Sequence, residues 1–312
     1  MRYKEFLHKA LEYFQGKPYL LLVFSTLFWG GNFVIGRSLV QTVPPFHLSI
    51  MRLGLGFLFF LPFAWAEWKQ RKELMLKNWR LLILLSMTGI AGFNSLLYIA
   101  LQSTTSINAS LVNSTAPLLI VILSVIFLKD RLYKHQCLGI AMSFFGVIWV
   151  ISHGQLGLLK KLQFNNGDLL VILAVIFWAI YSILMKKWGG SLPSKATFLT
   201  TLFLGIVMLV PFLIWENMKI PFRFEQLSPG MWLSVVYIGF FPSVLSFVCW
   251  NQGVISVGPS RASNFLHLIV IFSGIFALFI GETYTLHQFI GAVMIISGVL
   301  CVWQEKNNEF GN

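Results

Sequence analysis

The sequence predicts an all-α integral membrane protein, with ten transmembrane helices arranged as two inverted five-helix repeats around a central cavity. Three observations predict it. Of the 312 residues, 57% are hydrophobic and 11% charged, and the mean hydropathy is +0.76, too apolar for a soluble domain of this size. Apolar stretches near the spanning length of roughly 20 residues recur along the whole chain. The second half also repeats the first at a nearly constant offset.

Residues 1–18 form the first unit. In YKEFLHKALEYF, Phe6, Leu7, Ala10, Leu11 and Phe14 share one helical face, with Lys4, His8 and Lys9 elsewhere. That pattern suits a short cytoplasmic helix lying on the membrane surface. The following apolar run is too long for a cleavable signal peptide. Spans are expected at about 19–40, 46–66, 79–101, 105–128 and 133–152, then, after an external linker at 153–166, at 167–187, 195–215, 231–254, 258–280 and 285–303. A cytoplasmic tail, 304–312, closes the chain. The gaps, such as QTVPP, STTS, KDRLYK and SVGPS, carry turn formers and charge, as connections between antiparallel neighbours do.

The net charge of +12 does not indicate nucleic acid, because the Lys and Arg residues fall in short gaps rather than on a soluble face. They report topology instead. With both termini cytoplasmic, the inner segments hold 17 Lys and Arg residues, the outer segments five, and Arg52 lies within a span. Cys137, Cys249 and Cys301 sit in apolar runs without zinc spacing, so packing rather than metal binding is expected of them. No GxxxxGK[ST], HExxH or GxSxG occurs, which argues against ATP drive, a bound cofactor or membrane-embedded hydrolysis. An enzyme is not expected.

The repeat is read residue by residue. At an offset of 149, Trp29 meets Trp178, Gly56 meets Gly205 and Glu67 meets Glu216. At 153, Trp79 meets Trp232 and Ala109-Ser110 meets Ala262-Ser263; at 152, Gly139 and Gly146 meet Gly291 and Gly298, and Asp130 meets Glu282. The units are 19–152 and 167–303. Five spans is an odd number, so the second unit enters the membrane from the opposite side. Such inverted repeats build transporters, with a site near the midplane where the halves meet.

The stretches FWGGNFVIGR, PPFHLSIMR, ASLVNSTAPLLIVILSVIFLKDRL with its twin ASNFLHLIVIFSGIFALFIGETYT, and QFIGAVMIISGVL together resemble the drug/metabolite transporter superfamily. In particular the chain is similar to ten-span EamA-type exporters, from about residue 19 to 303. The resemblance implies a basket whose first four helices in each half surround a central cavity. It implies peripheral fifth and tenth spans that mediate homodimer contacts, and export of small metabolites, amino acids among them, across a bacterial cytoplasmic membrane. The family's Gly-Glu at the end of the fourth span stands in the second half as Gly281-Glu282, whereas the first half has Lys129-Asp130. Asp130 and Glu282 are therefore expected to share a structural role.

Polar and bulky groups at depth are the candidate substrate-binding residues. In lipid each marks either helix packing or a water-filled path. Trp29 and Trp178 lie near the centres of their spans, away from the interfacial belt, and either stack on a ligand or fill volume. Gly30 and Gly31 beside Trp29 permit close approach, and Asn32 supplies a donor and an acceptor. Asn94 and Tyr98, Asn113 and Ser114, Tyr181, Asn251, Asn264 and His267 occupy comparable depths. His267 is either a proton-exchanging group, with an ordinary pKa of about 6.5, or a neutral histidine bonded to a neighbour. Arg52, about 9 Å into its span at 1.5 Å per residue, either snorkels outward or holds a carboxylate; the resemblance implies a gating or structural role. No Asp or Glu falls near mid-span, which disfavours permanent cations. The expected function is secondary export of small neutral or zwitterionic metabolites, amino acids above all, by alternating access. A passive facilitator and a non-transporting sensor are the alternatives.

Overall fold

The computed structural model describes residues 17–129, 134–155, 165–257 and 264–303. The expected surface helix at the N-terminus, Asp130 and most of the external linker lie outside them. Among the described residues the chain is helical throughout, without strands. Helix α1 is Pro18–Leu39 and α2 is Pro45–Lys77. Helix α3 is built of Trp79–Leu85, a π-helical stretch Ser86–Gly92 and Phe93–Ala100. Helix α4 comprises Ser106–Asn113 and Ala116–Leu128, and α5 is Lys134–Ile151. Helices α6 and α7 are Asn166–Trp188 and Ser194–Lys219. Helix α8 joins Pro229–Phe240, a π-helical stretch Phe241–Leu245 and Ser246–Val257. Helix α9 opens with a 3-10 turn, Asn264–His267, before Leu268–Leu278, and α10 is Leu286–Trp303.

Seven of these helices are long and apolar enough to cross a membrane; shorter apolar stretches, Cys137–Val150, Phe265–Leu278 and Leu286–Gly298, complete the bundle. Large apolar side chains such as Leu58, Phe127, Phe144, Phe203 and Leu286 face outward, the inversion a lipid solvent allows.

The starts of the helices follow from local chemistry. Pro18, Pro45 and Pro229 open α1, α2 and α8, where a missing N–H costs nothing. Side-chain oxygens of Thr105, Asn165 and Ser228 accept from Asn108, Gly167 and Met231 at 3.1, 2.8 and 3.3 Å, capping α4, α6 and α8. Helix α2 runs on to Lys77, past the expected end near residue 66. The residues EWKQRKELMLK that follow are strong helix formers, so the helix projects beyond the apolar stretch.

The dominant packing pairs all join the two halves: α5 with α10, α2 with α7, α1 with α8 and α9, and α6 with α3 and α4. The α5–α10 seam is made of small residues. A Cβ at Gly298 would stand 2.5 Å from the Gly139 carbonyl oxygen and 2.7 Å from the Ser143 nitrogen, and one at Gly146 would stand 3.0 Å from the Ile295 nitrogen. The Ser143 hydroxyl donates to the Ile295 carbonyl at 2.8 Å. Backbones this close gain dispersion and weak polar contacts that lipid cannot supply.

Carboxylates also cross between halves to cap helices. Glu216 of α7 accepts from the Phe46 N–H at 3.0 Å, the His47 N–H at 3.0 Å and His47 Nδ1 at 2.8 Å, at the start of α2. Its sequence counterpart Glu67 of α2 accepts from the Ala196 N–H at 3.0 Å, at the start of α7. Glu282, beyond α9, accepts from the Ser106 and Ile107 N–H groups at 3.0 and 3.2 Å and from the Ser106 hydroxyl at 2.8 Å, capping α4. Negative charge at a helix N-terminus meets both orphan donors and the positive end of the helix dipole.

Candidate functional site

The irregular turns of α3 and α8 build the centre of the bundle. Pro242 lacks the N–H that would reach the Ile238 carbonyl, and the Ser243 hydroxyl donates to that carbonyl instead, at 2.7 Å. The Pro242 carbonyl accepts from Trp29 Nε1 at 3.0 Å. In α3 the Asn94 amide donates to the Ile90 carbonyl at 2.7 Å. Gly89 and Gly92 lie directly under the rings of Tyr181 and Phe177, where a Cβ would overlap them. The π-helical stretch of α8 thus turns a backbone acceptor toward a side chain of α1, whereas in α3 the acceptor is met by Asn94 of the same helix.

Between these turns lies a cavity of about 50 Å³. Trp29, Asn32, Arg52, Asn94, Asn113, Trp178 and Phe247 line it, together with Phe93 and apolar residues of α3, α4 and α9. The Trp29 and Trp178 rings meet edge to face at 6.4 Å, Phe93 lies 5.2 Å from Trp178, and Trp29 meets Phe247 at 5.8 Å. Such edge-to-face sets favour flat apolar or aromatic bodies.

Arg52 is 4% exposed and does not reach the surface. Its Nε donates to Ser243 Oγ at 2.7 Å, and its Nη1 donates to Asn32 Oδ1 and Tyr98 Oη at 3.1 Å each. The Tyr98 hydroxyl donates to Asn32 Oδ1 at 2.9 Å, so α1, α2, α3 and α8 are tied together at one guanidinium.

A second cavity, about 150 Å³, extends toward the α6–α7 connection. Tyr181, Met185, Ser194, Thr197, Phe198, Thr201 and Phe247 line it. Phe247 borders both cavities and stacks on Phe198 with centroids 4.7 Å apart, so it forms the partition.

Five of the substrate-binding candidates named from sequence, Trp29, Asn32, Asn94, Asn113 and Trp178, meet in the central cavity. Tyr98 stands behind it on Arg52, and Tyr181 lines the second cavity beside Trp178. Ser114 is buried and donates to the Leu111 carbonyl at 2.6 Å, filling the break in α4. His267 is buried with neither ring nitrogen hydrogen-bonded among the described residues. The side chains of Asn251 and Asn264 fall outside the described ones. Phe247, Phe93 and Ser243 were not singled out from sequence. Pro242 was the available signal for Ser243; nothing distinguishes Phe247 among 30 phenylalanines.

A family model for EamA-like transporters matches twice, over residues 16–152 and 165–304. The chain is 31% identical over 282 residues to the uncharacterized transporter YyaM of Bacillus subtilis (strain 168), covering 90% of this chain and 92% of that one. It is 25% identical over 285 residues to an uncharacterized transporter of Archaeoglobus fulgidus, covering 91% and 96%. A crystal structure of 17% sequence identity shares the fold, with a TM-score of 0.64 over 95% of this chain and 99% of that chain. The matches span both halves, including α1 with Trp29, α2 with Arg52 and α6 with Trp178. This multi-pass membrane protein belongs to the EamA-like transporter family of the drug/metabolite transporter superfamily.

Proposed function

We propose that the protein is a secondary exporter of small neutral or zwitterionic metabolites, amino acids above all, working by alternating access in a bacterial cytoplasmic membrane with both termini inside. The observation that carries this reading is the central cavity, where residues of both halves place two tryptophans, three asparagines and one guanidinium around a single space. Aromatic walls with amide groups suit a partly apolar solute with a polar end. A volume of about 50 Å³ holds only a few water molecules at roughly 10–15 Å³ each, so binding a solute requires the helices to part. The interrupted helices α3, α4, α8 and α9 and the prolines Pro62, Pro117 and Pro211 supply places where they bend. Two inverted five-helix units, 19–152 and 167–303, would rock about this site.

The test is uptake by purified protein in liposomes, screening labelled amino acids, nucleosides and sugars with and without a pH gradient, beside empty liposomes. Gradient-dependent accumulation of an amino acid supports the exporter. Flux indifferent to the gradient identifies a facilitator, and binding without flux identifies a sensor. Flux of nucleosides or sugars alone refutes the amino-acid assignment.

A further inference from the structure

Arg52 is a buried cation without a described anion. Its Nε and Nη1 are satisfied by Ser243, Asn32 and Tyr98, all neutral groups. No hydrogen bond from Nη2 and no ion pair to Arg52 is found among the described residues. Taking a guanidinium out of water is costly unless a counter-charge or a full set of acceptors compensates. Here the acceptor set is incomplete on the side chain that borders the central cavity. None of the residues around that cavity is an Asp or Glu, so no described lining residue supplies the missing charge, and none would bind an ammonium group as an ion pair.

We infer that the central site recognises its solute by a carboxylate, which docks on Nη2 of the Arg52 guanidinium while the solute's apolar body lies between Trp29, Trp178 and Phe247. This rests on the transport reading above and narrows its substrate class. The neighbours hold the guanidinium in place: Ser243 fixes Nε from the π-helical stretch of α8, and Asn32 and Tyr98 fix Nη1 from α1 and α3. Nη2 is left as the unbonded nitrogen, among the described residues, of a side chain that lines the central cavity. Charge-assisted bonding of guanidinium to carboxylate is stronger than any pairing a neutral carboxamide can make there. The aromatic walls accept a hydrocarbon or aryl body. An α-amino group is tolerated but adds no ion pair, so amino acids and amine-free carboxylic acids share the determinant.

The test is calorimetric binding to the purified full-length protein in detergent, using L-phenylalanine, 3-phenylpropanoate, L-phenylalaninamide and phenethylamine, then the matched leucine series. Both carboxylates should bind at least about tenfold tighter than the amide and the amine, roughly 1.4 kcal/mol. If 3-phenylpropanoate binds as well as L-phenylalanine, the amine plays no part; if only L-phenylalanine binds, the ammonium and not the Arg52–carboxylate pair decides recognition, and the inference fails. R52K should keep the preference with weaker binding. R52Q should lose it, so that acid and amide bind alike. Equal binding of acid and amide to the wild-type protein overturns the inference whether or not R52Q folds, as does binding of neither series. The transport reading is judged separately by the liposome screen, which includes solutes without carboxylates.

Discussion

Replacing Glu216 by alanine should destabilise the protein far more than replacing its counterpart Glu67. The Glu216 side chain is buried and accepts from two backbone N–H groups and His47 Nδ1 at the start of α2. Water cannot readily replace it there, and Pro45 leaves α2 no donor at its first position. Each buried donor stranded by Glu216→Ala costs about 1–3 kcal/mol, and three of them give a loss of about 3–6 kcal/mol once partial relaxation is allowed for. Glu67 accepts from one N–H of α7, so Glu67→Ala should cost about 1–3 kcal/mol on the same scale. At about 2–4 °C per kcal/mol for chains of some 200 residues, the first change should lower the melting midpoint by on the order of 10 °C, and the second by a third to a half of that. Glu216→Gln keeps an oxygen acceptor and should fall between wild type and Glu216→Ala. The assay is the temperature at which the monodisperse peak disappears on size exclusion in detergent. Equal shifts at the two sites, or a shift below about 2 °C at Glu216, would refute the argument that α2 depends on a cap supplied by the other half.

Phe247→Ala should merge the two cavities and raise solute leak that is independent of the gradient, measured as efflux from loaded liposomes; its stability cost should stay below the about 3–5 kcal/mol typical of a fully packed Phe, since space already fronts two sides of the ring. Trp178→Ala and His267→Ala should each lower liposome flux while the purified protein stays folded, and wild-type rates in both would remove their assignment to the transport path. Gly298→Ala should destabilise by about 1–3 kcal/mol, because its new methyl meets the backbone of Gly139 and Ser143. Gly54→Ala, with nothing within 4 Å, should be neutral or stabilise α2 by up to about 1 kcal/mol; thermal melting of the pair checks both.

Much of this was legible in the sequence because lipid imposes one strong rule on it. Apolar runs of spanning length located the long helices, and the family resemblance carried the fold. The depth of Trp29, Asn32, Asn94, Asn113 and Trp178 marked them, and they share one cavity. The interruptions were less legible. Gly89, Gly92 and Pro242 permit a π-helical turn, but Tyr181 and Phe177 packed on α3, and Ser243 bonded back to Ile238, are tertiary facts. Arg52 was visible as a charge at depth, yet whether it snorkels or turns inward depends on Asn32, Tyr98 and Ser243, which come from three other helices. Phe247 carried no signal because apolar residues at apolar positions look alike until packing separates them.

The exchanged carboxylates bear on how the chain is made. When the ribosome has delivered α2, the donors at its start have no Glu216, since α7 is more than a hundred residues away in the future of translation. Likewise α4 waits for Glu282, and the glycine face of α5 waits for α10. The first five helices therefore enter the bilayer as an open, unfinished half that only the second can close. A nascent chain arrested between α5 and α6 would expose those donors and seams to quality control. Two separately expressed halves would be expected to survive only when made together.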